Sequence, residues 1–315
     1  MIIILNTVEN KQITIKDAVE FNFTQSTDAA CDSFWATFFV STAIDEIVEV
    51  RVMQNDRIIF FGYCDCQRIT RDENGYKVFF YARSCAGILV DNEAEPTTYE
   101  KPSATQLVFS VAQPYGFVSK LPEIYSDSLY EVQKGASCFS AINKFVKLLT
   151  GKQIYVTPKK EIICLEKSED VRELAKYKLL KTSFVINRSE PCSKINFKKQ
   201  SSNVKYLLHT KSKTCDELRI DRQKYINLSA IPQWQRENTV IDTIKSSFER
   251  YKILEAVVGG YVEEPLNQRY RYSDDICDYG ELVLSEKQYI CDKYGARTKL
   301  VLRKDIDIKE ITYVD

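Results

Sequence analysis

Apolar and polar residues alternate through the opening third of the chain. Residues 48–52 are Val, Glu, Val, Arg and Val, the pattern of a strand with one buried face. Residues 33–40 form a second β-prone run, rich in Phe. Asn55 and Asp56 tolerate a left-handed backbone, and they predict a tight turn between strands at 48–54 and 57–68. A further turn ending at Gly75 leads into a strand at 76–82. Short strands joined by polar turns predict a small β-barrel in residues 1–96.

The hydrophobic period changes after residue 96. Ser103 and Gln106 form a capping box that opens a helix, and Pro114 with Gly116 ends it. Ser137 opens a second helix whose apolar positions follow the helical period until residue 151, a glycine at the position of a C-cap. A hairpin at 154–157 and 162–165 follows. Residues 97–182 are therefore predicted to form a small α/β module.

The closing third is rich in β-forming residues again. Strands are predicted at 184–187, 193–198 and 203–209, and at 281–284, 287–290 and 294–302. Residues 250–258 fit either a strand or the end of a helix that begins near residue 239. Residues 183–315 are predicted to form a second β-barrel with irregular insertions. The fold class is thus mainly β, with two small β-barrel domains flanking a small α/β module.

Several short motifs support a family resemblance. Gly62 and Asp65 lie in a strand of the form G-x-x-D, Arg83 lies in a turn after the return strand, and Asp91 ends a short helical segment. Residues 295–302 have the form G-x-x-T-x-L-x-L. Together these motifs resemble the baseplate or tail hub proteins, of the late-control-D type, of contractile phage tails and phage-tail-like bacteriocins.

The resemblance implies a structural function without catalysis. In that family, three subunits with two barrels each form a ring that adapts the sixfold tail tube to the threefold central spike. The implied partners are further copies of the chain in a homotrimer, the tail tube protein, the central spike protein, other baseplate proteins, and the tape-measure protein passing through the lumen. The protein is expected to be synthesised in the bacterial cytoplasm and assembled into the baseplate of a phage tail or tail-like particle.

Charge and hydropathy narrow the function classes. Lys plus Arg and Asp plus Glu are both 44, so the net charge is zero, which argues against specific nucleic-acid binding. No stretch approaches the roughly 20 consecutive apolar residues that a membrane span requires. Nineteen Tyr and sixteen Phe fit two interpretations equally, because these residues fill strands and are also enriched at protein interfaces.

Candidate chemistry is sparse. Cys64 and Cys66 are the only closely spaced pair among ten cysteines, and a strand would place both thiols on one face. His209 is the only imidazole, and no nucleophile motif lies near it. Asp91, Glu93 and Glu95 are interpreted as a solvated acidic loop. The chain is therefore predicted to have no catalytic residues, no cofactor and no metal.

Two alternatives remain open at this point. The first is a tail-tip binding module that recognises a cell-wall glycan or receptor through exposed aromatic residues, for which Trp35 and Trp234 are the only tryptophans. The second is a thiol or zinc enzyme that uses Cys64 and Cys66.

Overall fold

A computed structural model of the chain describes residues 1–73, 75–199, 206, 208–229, 236–275, 278–304 and 311–314. The architecture is mainly β, as predicted. The chain forms two compact units, each assembled from separate segments. The first comprises Met1–Ser168, Val257–Asn267 and Ser285–Leu300, and the second comprises Glu169–Ala256, Gln268–Leu284 and Val301–Asp315. Within the described part of the chain, no helix combines the length and the apolar character needed to cross a membrane.

The first unit begins with an antiparallel sheet. Its strands follow the order β2-β1-β5-β6-β7-β4-β3. Alternate side chains of these strands enter one aromatic core, which includes Phe23, Phe34, Phe60 and Phe80. The strand bounds are β1 Ile2–Thr7, β2 Gln12–Ile15, β3 Glu20–Ser26, β4 Ser33–Val40, β5 Ile47–Gln54, β6 Arg57–Asp72 and β7 Gly75–Ser84.

Turn chemistry fixes the register of the β5–β6 hairpin. Asn55 and Asp56 have φ angles of 49° and 60°, so both adopt the left-handed conformation that the sequence predicts. The strand phase is confirmed at Val50 and Val52, which are fully buried, whereas Glu49 is half-buried and accepts a hydrogen bond from Asn6. Val48 is 40% exposed and does not share the buried face, because the register between β1 and β5 shifts beside it.

The α/β module follows the sheet within the same unit. Ser103 caps one helix by accepting a hydrogen bond from the Gln106 backbone N–H, and Ser137 caps another in the same way. Gly151 ends the second helix with a φ of 70°, as its position predicts. Before the module, α1 Ala86–Asp91 lies within the predicted residues 1–96, but its buried side chains pack in the core of the module. The elements of the module are β8 Thr97–Tyr99, α2 Ala104–Val111, β9 Val118–Ser119, β10 Tyr130–Val132, α3 Cys138–Thr150, β11 Ile154–Val156 and β12 Glu161–Cys164.

The second unit contains a sheet of order β17-β15-β16-β22 and a helix, α5. Ile244 and Phe248 of that helix share a core with Ile195 and Phe197. The helix ends at Phe248 and a strand begins at Lys252, which resolves the ambiguity of residues 250–258. The bounds are β13 Val171–Glu173, β14 Leu179–Ile186, β15 Lys194–Lys198, β16 Leu208–Ser212, α4 Lys213–Glu217, β17 Gln223–Asn227, α5 Arg236–Phe248, β18 Lys252–Gly259, β19 Arg269–Ser273, β20 Asp278–Asp292, β21 Gly295–Lys304 and β22 Ile311–Val314.

Part of the closing third differs from the predicted arrangement. Strand β20 has 15 residues, and its two parts have different neighbours. Its C-terminal part pairs with β3 inside the first unit, and its N-terminal part pairs with β19 inside the second. Two separate runs at 281–284 and 287–290 are therefore one strand. The predicted division at residues 96 and 182, and the closure of each β region into a barrel, stay predictions. The predicted strand at 203–209 lies partly outside the described residues.

The phase of β5 makes a stability prediction. Val50→Asp places a carboxylate in the aromatic core, and we expect the variant to be unfolded at 25 °C, because an unpaired buried charge costs several kcal/mol. Glu49→Lys is the matched control on the neighbouring half-buried position and should change the free energy of unfolding by less than about 1 kcal/mol. Urea titration followed by circular dichroism measures both. Equal tolerance at the two positions would contradict the strand phase.

Candidate functional site

One arginine connects three elements of the first unit. The guanidinium of Arg83, at the end of β7, makes two hydrogen bonds to the carboxylate of Asp65 on β6, of 2.5 and 3.0 Å. It also makes two to the carboxylate of Asp91 at the end of α1, of 2.9 and 2.6 Å. These are the charged residues of the motifs on which the family resemblance depends. Paired bidentate contacts fix orientation as well as distance, so this bridge sets where α1 leaves the sheet.

The ion pairs of this bridge shift the pKa values of Arg83 and Asp91. Hydrogen bonds from Arg83 lower the pKa of Asp91, and the two carboxylates raise the pKa of the arginine further above its ordinary value. The Arg83 side chain is 30% exposed to solvent and the Asp65 side chain is 31% exposed. Exposed ion pairs contribute little to net stability, so the contribution of this bridge lies in geometry.

Gly62 makes this geometry possible. A Cβ built on Gly62 would lie 2.0 Å from the backbone oxygen of Arg83, a distance that no side chain tolerates. Between Cys64 and Cys66 the β6–β7 register shifts, so that Cys64 pairs with Ala82 and Cys66 with Tyr81. Asp65 is the extra residue of this bulge and points to Arg83.

The bulge corrects one prediction from sequence. Cys64 and Cys66 do not share one face of a regular strand, because Asp65 interrupts the alternation between them. Cys64 is half-buried and packs against the sheet core, whereas Cys66 is exposed. Burial raises the pKa of the Cys64 thiol to about 11, so this thiol stays protonated at neutral pH.

A buried carboxylate forms a second connection between the sheet and the module. Asp32 Oδ2 accepts hydrogen bonds from the Tyr155 hydroxyl on β11, at 2.5 Å, and from Gln25 Nε2 on β3, at 2.9 Å. The backbone of Asp32 exchanges hydrogen bonds with Ser84 on β7. Only 5% of Asp32 is exposed. Since a buried polar group without partners is costly, these donors hold β11 against the sheet.

Burial governs the ionisation of this cluster. It raises the pKa of Asp32 to about 6, against the hydrogen bonds from Tyr155 and Gln25 and the charge of Lys287. Burial lowers the pKa of Lys287 to about 8, and its ammonium donates to the backbone oxygens of Val262 and Glu264. Local sequence patterns give no signal for this cluster, because its residues come from four distant parts of the chain.

A third connection is a lysine surrounded by aromatic rings. Lys160 turns the β11–β12 hairpin with a φ of 60°. Its ammonium lies 5.9 Å from the ring centre of Phe61, 5.8 Å from that of Tyr63 and 5.5 Å from that of Phe117. Phe61 and Tyr63 belong to β6, whereas Phe117 belongs to the module. Cation–π attraction therefore acts on both sides of the junction.

The other sequence candidates do not converge on these residues. Glu93 accepts a hydrogen bond from the backbone N–H of Gly135, and Glu95 is exposed. His209 lies in β16, and its side chain lies outside the described residues, as does Trp234. Trp35 is half-buried and its ring contacts that of Phe79 at 6.0 Å. Within the described ranges, no three His, Cys, Asp or Glu side chains are grouped closely enough to hold a metal ion.

Packing explains residues 295–302, the G-x-x-T-x-L-x-L motif, because its Thr and Leu side chains lie in the protein interior. Thr298 is fully buried and donates a 2.6 Å hydrogen bond to the backbone oxygen of Gly260, while Leu300 and Leu302 are fully buried. Arg297, at a variable position of this motif, makes two 2.8 Å hydrogen bonds to Asp292 and lowers the pKa of that carboxyl to about 2. The motif residues named from sequence are therefore structural.

Comparisons with known proteins identify the fold. No family model and no curated protein sequence matches the chain. Its structure is similar to that of the tail protein from Neisseria meningitidis MC58, with a TM-score of 0.77, 16% identity and 96% of each chain covered. The 43 kDa tail protein of prophage MuSo2 from Shewanella oneidensis gives a TM-score of 0.76 and 14% identity, covering 98% of this chain and 100% of that one.

A secretion-system protein shares the fold more distantly. It is an Escherichia coli protein described as a component of the type VI secretion system with structural similarity to T4 bacteriophage tail proteins gp27 and gp5. The TM-score is 0.57 and the identity 8%, with 92% of this chain and 74% of that one covered. The predicted resemblance to phage tail proteins is thus confirmed at the level of fold.

The close approach at Gly62 predicts a large effect of one methyl group. Gly62→Ala forces β6 and β7 apart beside Arg83, and we expect a loss of at least about 3 kcal/mol in the free energy of unfolding. Gly87→Ala is the control, since its added Cβ would meet only the Arg83 side chain at ordinary contact distances of 3.6 Å and more. Chemical denaturation compares the two. Similar stability of both variants would contradict the argument.

The buried Asp32 predicts a specific pH dependence. The pKa of Asp32 is 3.8 ordinarily and about 6 in the folded protein, so its contribution to stability is present below about pH 4 and is lost as the pH rises through 6. The loss amounts to about 3 kcal/mol. Asp32→Asn should remove it, whereas Asp17→Asn, at an exposed position, should not. Parallel curves of unfolding free energy against pH for the wild type and Asp32→Asn would contradict this assignment.

Proposed function

We propose that this protein is the structural baseplate hub of a contractile phage tail or a phage-tail-like particle. The observation that carries the proposal is the match of nearly the whole chain to tail proteins, at TM-scores of 0.76 and 0.77. The three connections between sheet and module support it, because a part that transmits force needs rigid junctions. All their charged groups are occupied by structural bonds, which fits a protein without catalysis.

The proposed assembly is a trimeric ring between the sixfold tail tube and the threefold central spike. Three copies, each with two related β regions, would present six similar surfaces to the tube and three to the spike. Contacts around such a ring are heterologous and close after three copies. The proposed partners are the tube protein, the spike protein, other baseplate proteins and the tape-measure protein in the lumen.

A tail-tip binding module is the second candidate, and one observation favours it. Trp35, Phe39, Phe79 and Tyr81 lie on the outward face of the sheet, where a glycan could stack on aromatic rings. The rings of Trp35 and Phe79 are tilted by 42° and both residues are half-buried, so they do not form a flat open platform. This geometry favours a protein partner over a sugar.

Molecular mass tests the hub proposal. We expect the purified protein to have three times the 36.5 kDa of one chain in light scattering after size-exclusion chromatography, or that mass plus the mass of the spike when the spike protein is added. Negative-stain imaging should then show rings. A monomer at the highest soluble concentration, both alone and with the spike protein, would contradict the proposal. Binding of cell-wall glycan by that monomer would favour the second candidate.

A further inference from the structure

The sheet of the first unit presents an unusual outward face. In β4, Phe34, Ala36 and Phe38 enter the core, so Trp35, Thr37 and Phe39, which alternate with them, lie on the opposite face. Thr37 is only 2% exposed there, whereas Trp35 is half-buried and Phe39 is exposed. Cross-strand pairing sets the outward residues in rows: Trp35 beside Tyr81, Phe79 beside Arg68, and Phe39 beside Lys77. We call this set the basic-aromatic face; it consists of Trp35, Phe39, Arg68, Lys77, Phe79 and Tyr81.

The basic-aromatic face has the composition of a protein interface. Phe39 is 52% exposed and lies near the end of β4, beyond the last residue pair of β3 and β4. Arg68 and Lys77 are exposed beside it. The nearby carboxylate of Glu20 accepts a hydrogen bond from Thr37. An outward strand face is ordinarily polar, and aromatic residues with arginine are enriched where proteins meet.

A complementary surface lies on the α/β module. Between residues 123 and 131, every second residue is exposed, and these residues are alternately acidic and apolar. Tyr125 and Leu129 are 59% and 66% exposed, which is high for large apolar groups. We call this set the acidic ribbon; it consists of Glu123, Tyr125, Asp127, Leu129 and Glu131. Lys120 and Lys134 are exposed outside its two ends.

The acidic ribbon is held in a fixed conformation. Residue 125 forms a β-bridge with Ser103, and Ser126 donates its backbone N–H to the oxygen of Pro102. The Tyr130 hydroxyl donates a 2.6 Å hydrogen bond to Ala141 of α3. A preorganised surface loses little conformational entropy when it binds, so the ribbon is suited to docking.

The charges and the apolar side chains of the two surfaces indicate which partner binds to each of them. The ribbon carries three carboxylates around two apolar side chains, and the face carries two cationic side chains around aromatic rings. The two surfaces share no residue, so they can serve as the two different halves of one contact between copies. Contacts of this head-to-tail kind either close into a ring or extend into a filament.

From these observations we infer that the acidic ribbon of one copy docks on the basic-aromatic face of a second copy. The inference rests on the proposed ring and names the surfaces that close it. Phe39 enters the interface beside Tyr125 or Leu129 of the neighbouring copy, and Arg68 and Lys77 meet its carboxylates. The occupant of both surfaces is a second copy of this chain.

Charge reversal tests the inference. Arg68→Glu with Lys77→Glu makes the face acidic, and Glu123→Lys with Asp127→Lys makes the ribbon basic. Each pair should raise the dissociation constant of the assembly at least about tenfold in analytical ultracentrifugation. All four changes in one chain restore opposite charges and should restore the assembly. Lys16→Glu with Arg57→Glu is the control, a similar charge change at exposed positions outside both surfaces.

A cross-linking experiment gives a readout that does not depend on charge. The photoreactive residue p-benzoylphenylalanine in place of Phe39 should cross-link to residues 123–131. A mixture of normal and 15N-labelled protein, analysed by mass spectrometry, shows whether the link joins two copies.

The outcomes separate the two proposals. A wild-type trimer that withstands both charge reversals and gives no cross-link to the ribbon would overturn the inference and leave the hub standing. Failure of the fourfold variant to assemble, although it is folded by circular dichroism, would overturn the inference as well. A monomeric wild type, alone and with the spike protein, would overturn both. Loss of glycan binding on reversal of the face would overturn the inference in favour of the binding module.

Discussion

The close approach of two strands at Gly62 is the constraint on which the rest of the first unit depends. Without a side chain there, the backbones of β6 and β7 come close enough for the bulge at Asp65 to face Arg83. That arginine then holds α1 through Asp91, and α1 begins the path of the chain into the module. The absence of a Cβ at Gly62 thus determines where α1 begins. The ion pairs themselves are half-exposed, and their contribution is orientation more than free energy.

The Asp32 connection acts by burial instead. Asp32 is removed from water and is satisfied only when Tyr155 and Gln25 are both in place, so any displacement of β11 leaves a buried carboxylate without its donors. Such a group adds little net stability, since its desolvation offsets its bonds, but it penalises every alternative position of the module. Lys160 adds a cation that is attracted to rings on both sides of the junction. Together the three connections favour one position of the module against the sheet.

Sequence predicted those features whose signal lies within a few residues. The Asn55-Asp56 turn, the caps at Ser103 and Ser137 and the full extent of β4 follow from local backbone preferences and are confirmed. The bulge at Asp65 was missed because nothing in strand alternation marks an extra residue. Asp32 and Tyr155 are 123 positions apart, so no local pattern could bring them together. Asp65, Arg83 and Asp91 were each named from their motifs, but their meeting at one guanidinium is a property of the fold. The same is true of β20, whose length joins two runs that looked separate.

Rigidity and ring closure are linked by geometry. In a ring built from heterologous contacts, the angle between the two docking surfaces of each copy decides how many copies close it, and an error in that angle accumulates at every contact. The basic-aromatic face lies on strands β4, β6 and β7, and the acidic ribbon lies on the module. The Asp32 cluster and Lys160 connect those same two parts, and the Arg83 bridge connects the sheet to α1, which packs on the module. A chain that uses one surface on its sheet and the other on its module needs these connections to hold a single angle. Their position in the fold therefore suits the ring proposed above, since a flexible junction at the same place would let such contacts extend into open chains.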